Sequence, residues 1–238
     1  MIDGRREETD AGVPQGSVLS PLLANVYLHY VLDQWFEQQV QPRLDGEAHL
    51  VRYADDFICA FQYERDARRF QSVLRKRLAR YSLELAEEKT KLIRFGRFAE
   101  LTTIRIGEGA PSTFDFLGFT HYCGHNRAGT FKLKRKTAKK KLRVKCRELK
   151  DWFRANLTLR ATAVWAVLNS KLRGHYQYYG INDNWPSLVR FRREAERMAL
   201  RWLRRRSQTS FMSYADFRTY LSRHPIAVPK KLLNLNAW

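Results

Sequence analysis

From residue 127 to residue 206 the chain carries 24 Lys and Arg against 5 Asp and Glu, a net of +19. A block so cationic folds only if its apolar residues recur on one side and leave the charges outside. They do. Ala138, Leu142, Cys146, Leu149 and Phe153 form one helical stripe, and Val164, Val167, Leu168, Leu172, Tyr176 and Tyr179 a second. Leu188, Phe191, Ala195, Met198 and Trp202 form a third, entered through Asn184-Trp185-Pro186. Three amphipathic helices with basic outer faces predict a small bundle and no strands after Gly129.

Residues 1–126 carry 16 Lys and Arg against 18 Asp and Glu, a net of −2, and the residues from 207 onward carry 4 against 1. The bias belongs to the helical block and puts the expected domain boundary near Arg127–Gly129, giving segments 1–126 and 127–238. Mixed charges are enough for solubility, so cations without acids point to a polyanionic partner. A membrane surface is the competitor, but it does not require an aromatic, polar run such as His175–Tyr179.

Hydrophobic residues make up 44% of the chain and aromatics 13%, which supports a packed core and excludes disorder. No apolar run approaches the roughly 18 residues that span a bilayer, and Met1–Arg6 lacks the apolar stretch of a signal peptide. Cys59, Cys123 and Cys146 are widely spaced and odd in number, which fits a reducing cytosol better than a disulfide framework.

The first half reads as α+β. Ser20-Pro21 predicts a helix start, with Ser20 as cap, followed by Leu22, Leu23, Val26, Tyr27, Tyr30 and Val31 at helical spacing. His49–Phe61 reads as a hairpin whose two β-prone runs flank Ala54-Asp55-Asp56. A helix through Ala67, Phe70, Leu74, Leu78 and Tyr81 follows, with short strands expected at 91–95, 101–106 and 114–123. These elements predict helices packed on a small antiparallel sheet.

Adjacent carboxylates on a hairpin tip repel one another, and a divalent cation relieves that repulsion; Mg²⁺ prefers hard oxygen ligands of this kind. A plain polar turn is the alternative, since Asp favours turns. The loop Gly12-Val13-Pro14-Gln15-Gly16 offers a backbone that a nucleotide can approach closely and a bidentate amide in Gln15. Read structurally, it is a loop before a helix. His121-x-Cys123-x-His125 suggests a metal site, but strand alternation puts all three on one sheet face, which does not make a tetrahedral cage.

Pro14-Gln15-Gly16 running into Ser20-Pro21-Leu22-Leu23-Ala24-Asn25, then Tyr53-Ala54-Asp55-Asp56 about 40 residues on, resembles the palm of reverse transcriptases. The likeness is strongest to the branch encoded by group II introns. Glu88-Lys89-Thr90, the hairpin Phe116-Leu117-Gly118-Phe119, the stretch Leu172-Arg173-Gly174-His175-Tyr176-Gln177-Tyr178-Tyr179 and His224-Pro225 follow in the order of that family. His175 stands where the family more usually has Trp.

The resemblance implies a partial reverse-transcriptase palm followed by an all-helical thumb, or maturase, domain. It implies RNA-templated DNA synthesis by two-Mg²⁺ nucleotidyl transfer, with intron RNA binding and splicing assistance. Asp55 would be a direct Mg²⁺ ligand and Asp56 would complete the pair. Lys89 would assist the departing pyrophosphate, a solvated surface lysine being the alternative. Pro14, Gln15, Gly16 and Tyr53 would lie along the incoming dNTP and the template base pair. Phe116, Leu117 and Gly118 would grip the DNA primer. Lys132, Lys134, Arg135, Lys136, Lys139, Lys140, Lys141, Arg143, Lys145 and Arg173 would track intron RNA. Tyr176 and Tyr179 fit the bundle core better than a base-stacking surface.

In that family the fingers and an early palm strand, which carries the first catalytic aspartate, precede the Pro-Gln-Gly loop. Only eleven residues precede Gly12, and Asp3 and Asp10 lie in a polar lead-in. The expectation is a chain that begins mid-domain (a truncated gene, a misplaced start codon or one half of a split protein with a separately encoded fingers and palm fragment), lacks the third carboxylate and does not polymerise alone. A non-catalytic intron RNA-binding maturase is the competing function, and a retron-type or diversity-generating reverse transcriptase a third, which the long basic thumb disfavours. The expected setting is the bacterial cytoplasm.

Overall fold

The computed structural model describes residues 19–107, 109–206, 212–230 and 233. They form a mixed α/β structure of two small antiparallel sheets and seven α-helices, in two compact units divided between Leu92 and Ile93. The charge shift falls elsewhere, at 126/127, inside the last hairpin of the second unit's sheet.

In the first unit, α1 (Ser20–Leu28) begins with Leu19 in the cap position, so Ser20 and Pro21 occupy the first turn, one residue off the expected start. The predicted apolar stripe does not pack as one. Leu22, Leu23, Val26, Tyr27 and Tyr30 are exposed, and only Val31 of that set is buried. Beyond α1 the helix widens into π turns at His29–Asp33 and Phe36–Val40. These i→i+5 turns bring Val31, Leu32, Phe36 and Val40 to the core in place of the 3.6-residue stripe.

Strands β1 (Ala48–Tyr53) and β2 (Asp56–Phe61) pair from Ala48↔Phe61 to Tyr53↔Asp56, as the alternation of their residues requires. Their inner face closes over α2 (Glu64–Arg80), where Phe61 and Phe70 lie 5.2 Å apart and Phe36 meets Phe70 edge-on at 5.5 Å. The buried Asp66 carboxylate accepts from the backbone N–H groups of Asp45 and Gly46, both at 3.1 Å, and so fixes the entry to β1.

From residue 91 onward the structure corrects four expectations. Residues 101–106 alternate like a strand, yet form α3 (Ala99–Arg105), where Thr102 and Thr103 return their hydroxyls to backbone carbonyls one turn back. Residues 91–95 form no strand, and the expected strand at 114–123 is a hairpin of β3 (Phe114–Phe116) and β4 (Phe119–His125). The cationic block opens with a strand, β5 (Phe131–Thr137), paired to β4 through an Asn126–Gly129 turn. Its lysines read as a basic tract, but they alternate with Phe131, Leu133 and Arg135 at the strand period.

The three predicted helices are α4 (Lys139–Ala155), α5 (Ala161–Tyr179) and α6 (Trp185–Arg206). Their stripes bury Leu142, Leu149, Phe153, Val164, Leu168, Leu172, Tyr176, Tyr179, Leu188, Phe191, Ala195 and Trp202 in one core. Val167 is exposed and Met198 only half-buried. A fourth helix, α7 (Tyr214–Arg223), joins them through Phe217, started by a reciprocal Ser213–Asp216 capping box.

Asn184 holds the sheet and the helices of this unit together. Fully buried, its amide accepts from Thr137 N–H at 2.7 Å and donates to the Thr137 hydroxyl at 2.8 Å and the Tyr179 carbonyl at 3.0 Å. The end of β5, the end of α5 and the start of α6 thus meet on one side chain.

Candidate polymerase turn and basic helical surface

The β1–β2 turn consists of Ala54 and Asp55, with Asp56 already paired in the strand opposite Tyr53. Ala54 takes φ +53°, a left-handed conformation that costs a residue with a Cβ about 1 kcal/mol. Alternation puts Ala48, Leu50, Arg52, Phe57, Cys59 and Phe61 on the packed face. Val51, Tyr53 and Asp56 fall on the other, where Val51 and Tyr53 are 57% and 65% exposed. Asp56 therefore shares an open face with a free aromatic ring, and Asp55 stands at its tip. Neither carboxylate makes a hydrogen bond or ion pair among the described residues, a donor set of hard oxygens free to receive Mg²⁺. No cluster of three or more His, Cys, Asp or Glu surrounds them among the described residues.

Sequence reading passed over the residue that braces this turn. Arg52 forks onto Asp33 at 2.7 and 2.6 Å, reaches Asn25 of α1 at 2.9 Å, and donates to the Ala54 carbonyl at 2.9 Å. One guanidinium ties α1, the first π turn and the acidic turn together. Burial alone would raise the Asp33 carboxyl; the hydrogen bond and charge of Arg52, with His29 behind them, outweigh it and hold the group below the ordinary carboxylate value. An Arg at strand alternation facing inward was the available signal, since an inward charge needs a partner.

Lys89 lies on an exposed turn after α2 with no ion-pair partner among the described residues. It makes no hydrogen bond or ion pair with Asp55 or Asp56. Pro14, Gln15 and Gly16 lie outside the described residues.

In the second unit Leu117 and Gly118 form the two-residue turn of the β3–β4 hairpin, both at positive φ (+49° and +76°), the pattern of a type I′ turn. The exposed Tyr178 donates its hydroxyl to the Leu117 carbonyl at 2.9 Å, and Phe119 packs on Tyr178 and Tyr179. Phe116 pairs with Phe119 at the base of the turn. The hairpin is thus docked on the last turn of α5.

The basic residues divide by environment. Lys132, Lys134 and Lys136 share a sheet face with Tyr122. Lys132 is tied to Asp183 at 2.7 Å, and Lys136 Nζ sits 5.1 Å from the Tyr122 ring centre. Arg135 projects to the opposite face, across from His121. Lys139, Lys140 and Lys141 fill the first turn of α4 with no acid beside them and are exposed. Cations there oppose the helix dipole, at a cost of a few tenths of a kcal/mol or more each. Arg143 and Arg173 are exposed; Lys145 pairs with Glu148 at 2.8 Å.

His121 stacks on Phe114 with ring centres 4.8 Å apart, Cys123 Sγ lies 3.6 Å from the Gly96 carbonyl, and His125 faces Glu100 at 3.5 Å. Each of the three has its own neighbour. Among the described residues no helix is long and apolar enough to cross a membrane.

No curated protein matches the chain. The family model for reverse transcriptase (RNA-dependent DNA polymerase) matches residues 2–121, a span that contains the acidic turn, its Arg52 brace and the β3 hairpin strand. With that match over half its length, the chain belongs to the reverse transcriptase family.

Proposed function

We propose that the chain is the palm-and-thumb part of a group II intron-type reverse transcriptase and maturase. The observation that carries the polymerase reading is the pair of unpartnered carboxylates, Asp55 and Asp56, on an open hairpin face of a reverse transcriptase family member. Mg²⁺, when bound there, would activate the primer hydroxyl and stabilise the pyrophosphate leaving group. Asp55 and Asp56 supply oxygen ligands, Arg52 fixes the turn that presents them, and Tyr53 offers a flat surface beside the incoming dNTP. A third carboxylate would come from outside the described residues, from the fingers and early-palm segment of the family pattern. Phe116, Leu117 and Gly118 grip the primer strand, and Lys89 meets the departing pyrophosphate.

The helical unit binds intron RNA through the cations that oppose the α4 dipole, aided by Lys134, Lys136, Arg143 and Arg173. Filter binding of a structured intron RNA across a salt series tests this. Changing Lys139, Lys140 and Lys141 to Ala should weaken binding and flatten the log–log salt slope by about one unit or more. An unchanged affinity and slope would remove α4 from the interface. The competing maturase without polymerase activity uses the same surface and differs only in whether Asp55 matters.

A further inference from the structure

We propose that the groove between the C-terminal ends of α4 and α6 seats one nucleotide of single-stranded RNA, an inference that rests on the RNA-binding reading of the helical unit. The groove is shallow and open to solvent. Lys150 and Arg154 of α4 line one side, and Arg201 and Arg205 of α6 the other. Between them runs an apolar floor on which Phe153 and Trp202 are buried, Met198 is half-buried and Leu157 is exposed.

This layout follows from sequence spacing. Residues 150, 153, 154 and 157 of one segment, and 198, 201, 202 and 205 of the other, repeat at i, i+3, i+4 and i+7, so each places two cations beside one apolar row. The Trp202 indole N–H donates to the Asn156 carbonyl at 3.0 Å and fixes the two ends side by side. Four cations thereby face one another across a narrow seam. Asp151, 3.8 Å from Arg154, is the one acid paired with them; Lys150, Arg201 and Arg205 have no ion-pair partner among the described residues. Helix dipoles account for part of this, since each C-terminus carries roughly half a negative charge. Four positive charges exceed what two such ends neutralise, and an anion between the rows removes the remaining repulsion.

The floor selects the anion. A phosphodiester carries a flat, weakly polar base beside each charge, and Leu157 and Met198 offer that base an apolar surface while the rim holds the phosphate. A duplex keeps its bases stacked inside, and an acidic peptide has no flat group beside each carboxylate.

The test is fluorescence anisotropy with the full chain on three labelled probes: a uridine dodecamer, the same strand paired to its complement, and a polyglutamate peptide. Arg201→Gln with Arg205→Gln should weaken the single strand about tenfold or more and the duplex less than threefold. In the unaltered chain, photocrosslinking of a 4-thiouridine version should map to peptides containing Leu157 or Met198. Equal loss on all three probes, or polyglutamate binding as tightly as RNA, overturns the proposal. So does a crosslink map confined to other peptides. No loss for the arginine pair while the Lys139, Lys140 and Lys141 variant loses binding overturns the groove alone and leaves the RNA-binding reading standing.

Discussion

Gly118 and Tyr179 stand so close that a Cβ on Gly118 would lie 2.7 Å from the tyrosine hydroxyl oxygen. Tyr179 is buried among Phe119, His175 and Tyr178 and cannot swing aside. The hairpin proposed to grip the primer is therefore seated by a residue without a side chain on a residue of the helical core. Gly118→Ala should destabilise the second unit by about 2 kcal/mol or more, about 1 of it from the φ of +76° and the rest from the contact. Tyr179→Phe in the same chain should recover the contact part only. Urea denaturation of the four members of this cycle measures both parts.

Asn184→Ala should cost about 1–3 kcal/mol, because it strands the buried Thr137 N–H and takes one of two donors from the Tyr179 carbonyl, which keeps only the Ile181 N–H. Asn184→Asp should be nearly as damaging, since a carboxylate cannot donate to Tyr179. Thermal melting followed by circular dichroism checks both variants.

His175 is buried, its Nε2 has no partner, and burial, with the Lys145 charge nearby, pushes its pKa down to about 4. The folded chain thus refuses a proton that the unfolded chain takes up near the ordinary value of about 6.5. The stability tied to neutral His175 is whole above that value and falls away as the pH drops toward 4. His175→Phe should remove this part of the pH dependence and leave stability at neutral pH equal or higher. Denaturation midpoints at pH 7.5 and 4.5 for both chains give the answer.

Much of this architecture could be read from residue order. The hairpin around Asp55 was legible because two apolar, β-prone runs flank a short acidic turn. The stripes of α4 to α6 were legible because their spacing survives an excess of charge. What was missed depends on partners far away in the chain. β5 is a strand only because β4 lies beside it, and its lysines hid the alternation. The segment 101–106 has β-branched residues at strand spacing, and local hydroxyl-to-carbonyl bonds accompany its helical form. The Arg52 brace joins residues 19 and 27 positions away, which no local pattern encodes.

The brace itself should matter for catalysis more than for folding. Arg52→Gln loses the fork onto Asp33 and loosens the hold on the Ala54 carbonyl, so primer extension in the presence of an added fingers and early-palm fragment should fall about tenfold or more while the melting temperature shifts by a few degrees. Because Arg52 holds the Asp33 carboxyl below its ordinary value, this ion pair persists above about pH 4 and is lost as the pH falls through the lowered value. Loss of extension in proportion to loss of folded protein would show that Arg52 serves the fold alone.

Primer extension on an RNA template tests the central claim most directly. The chain is assayed alone, then with a separately expressed fingers and early-palm fragment from a group II intron reverse transcriptase, in each case with and without Asp55→Asn. The account predicts no extension by the chain alone, extension with the added fragment, and loss of that activity by about a hundredfold or more in Asp55→Asn. Extension by the chain alone, or extension that survives Asp55→Asn, would contradict it.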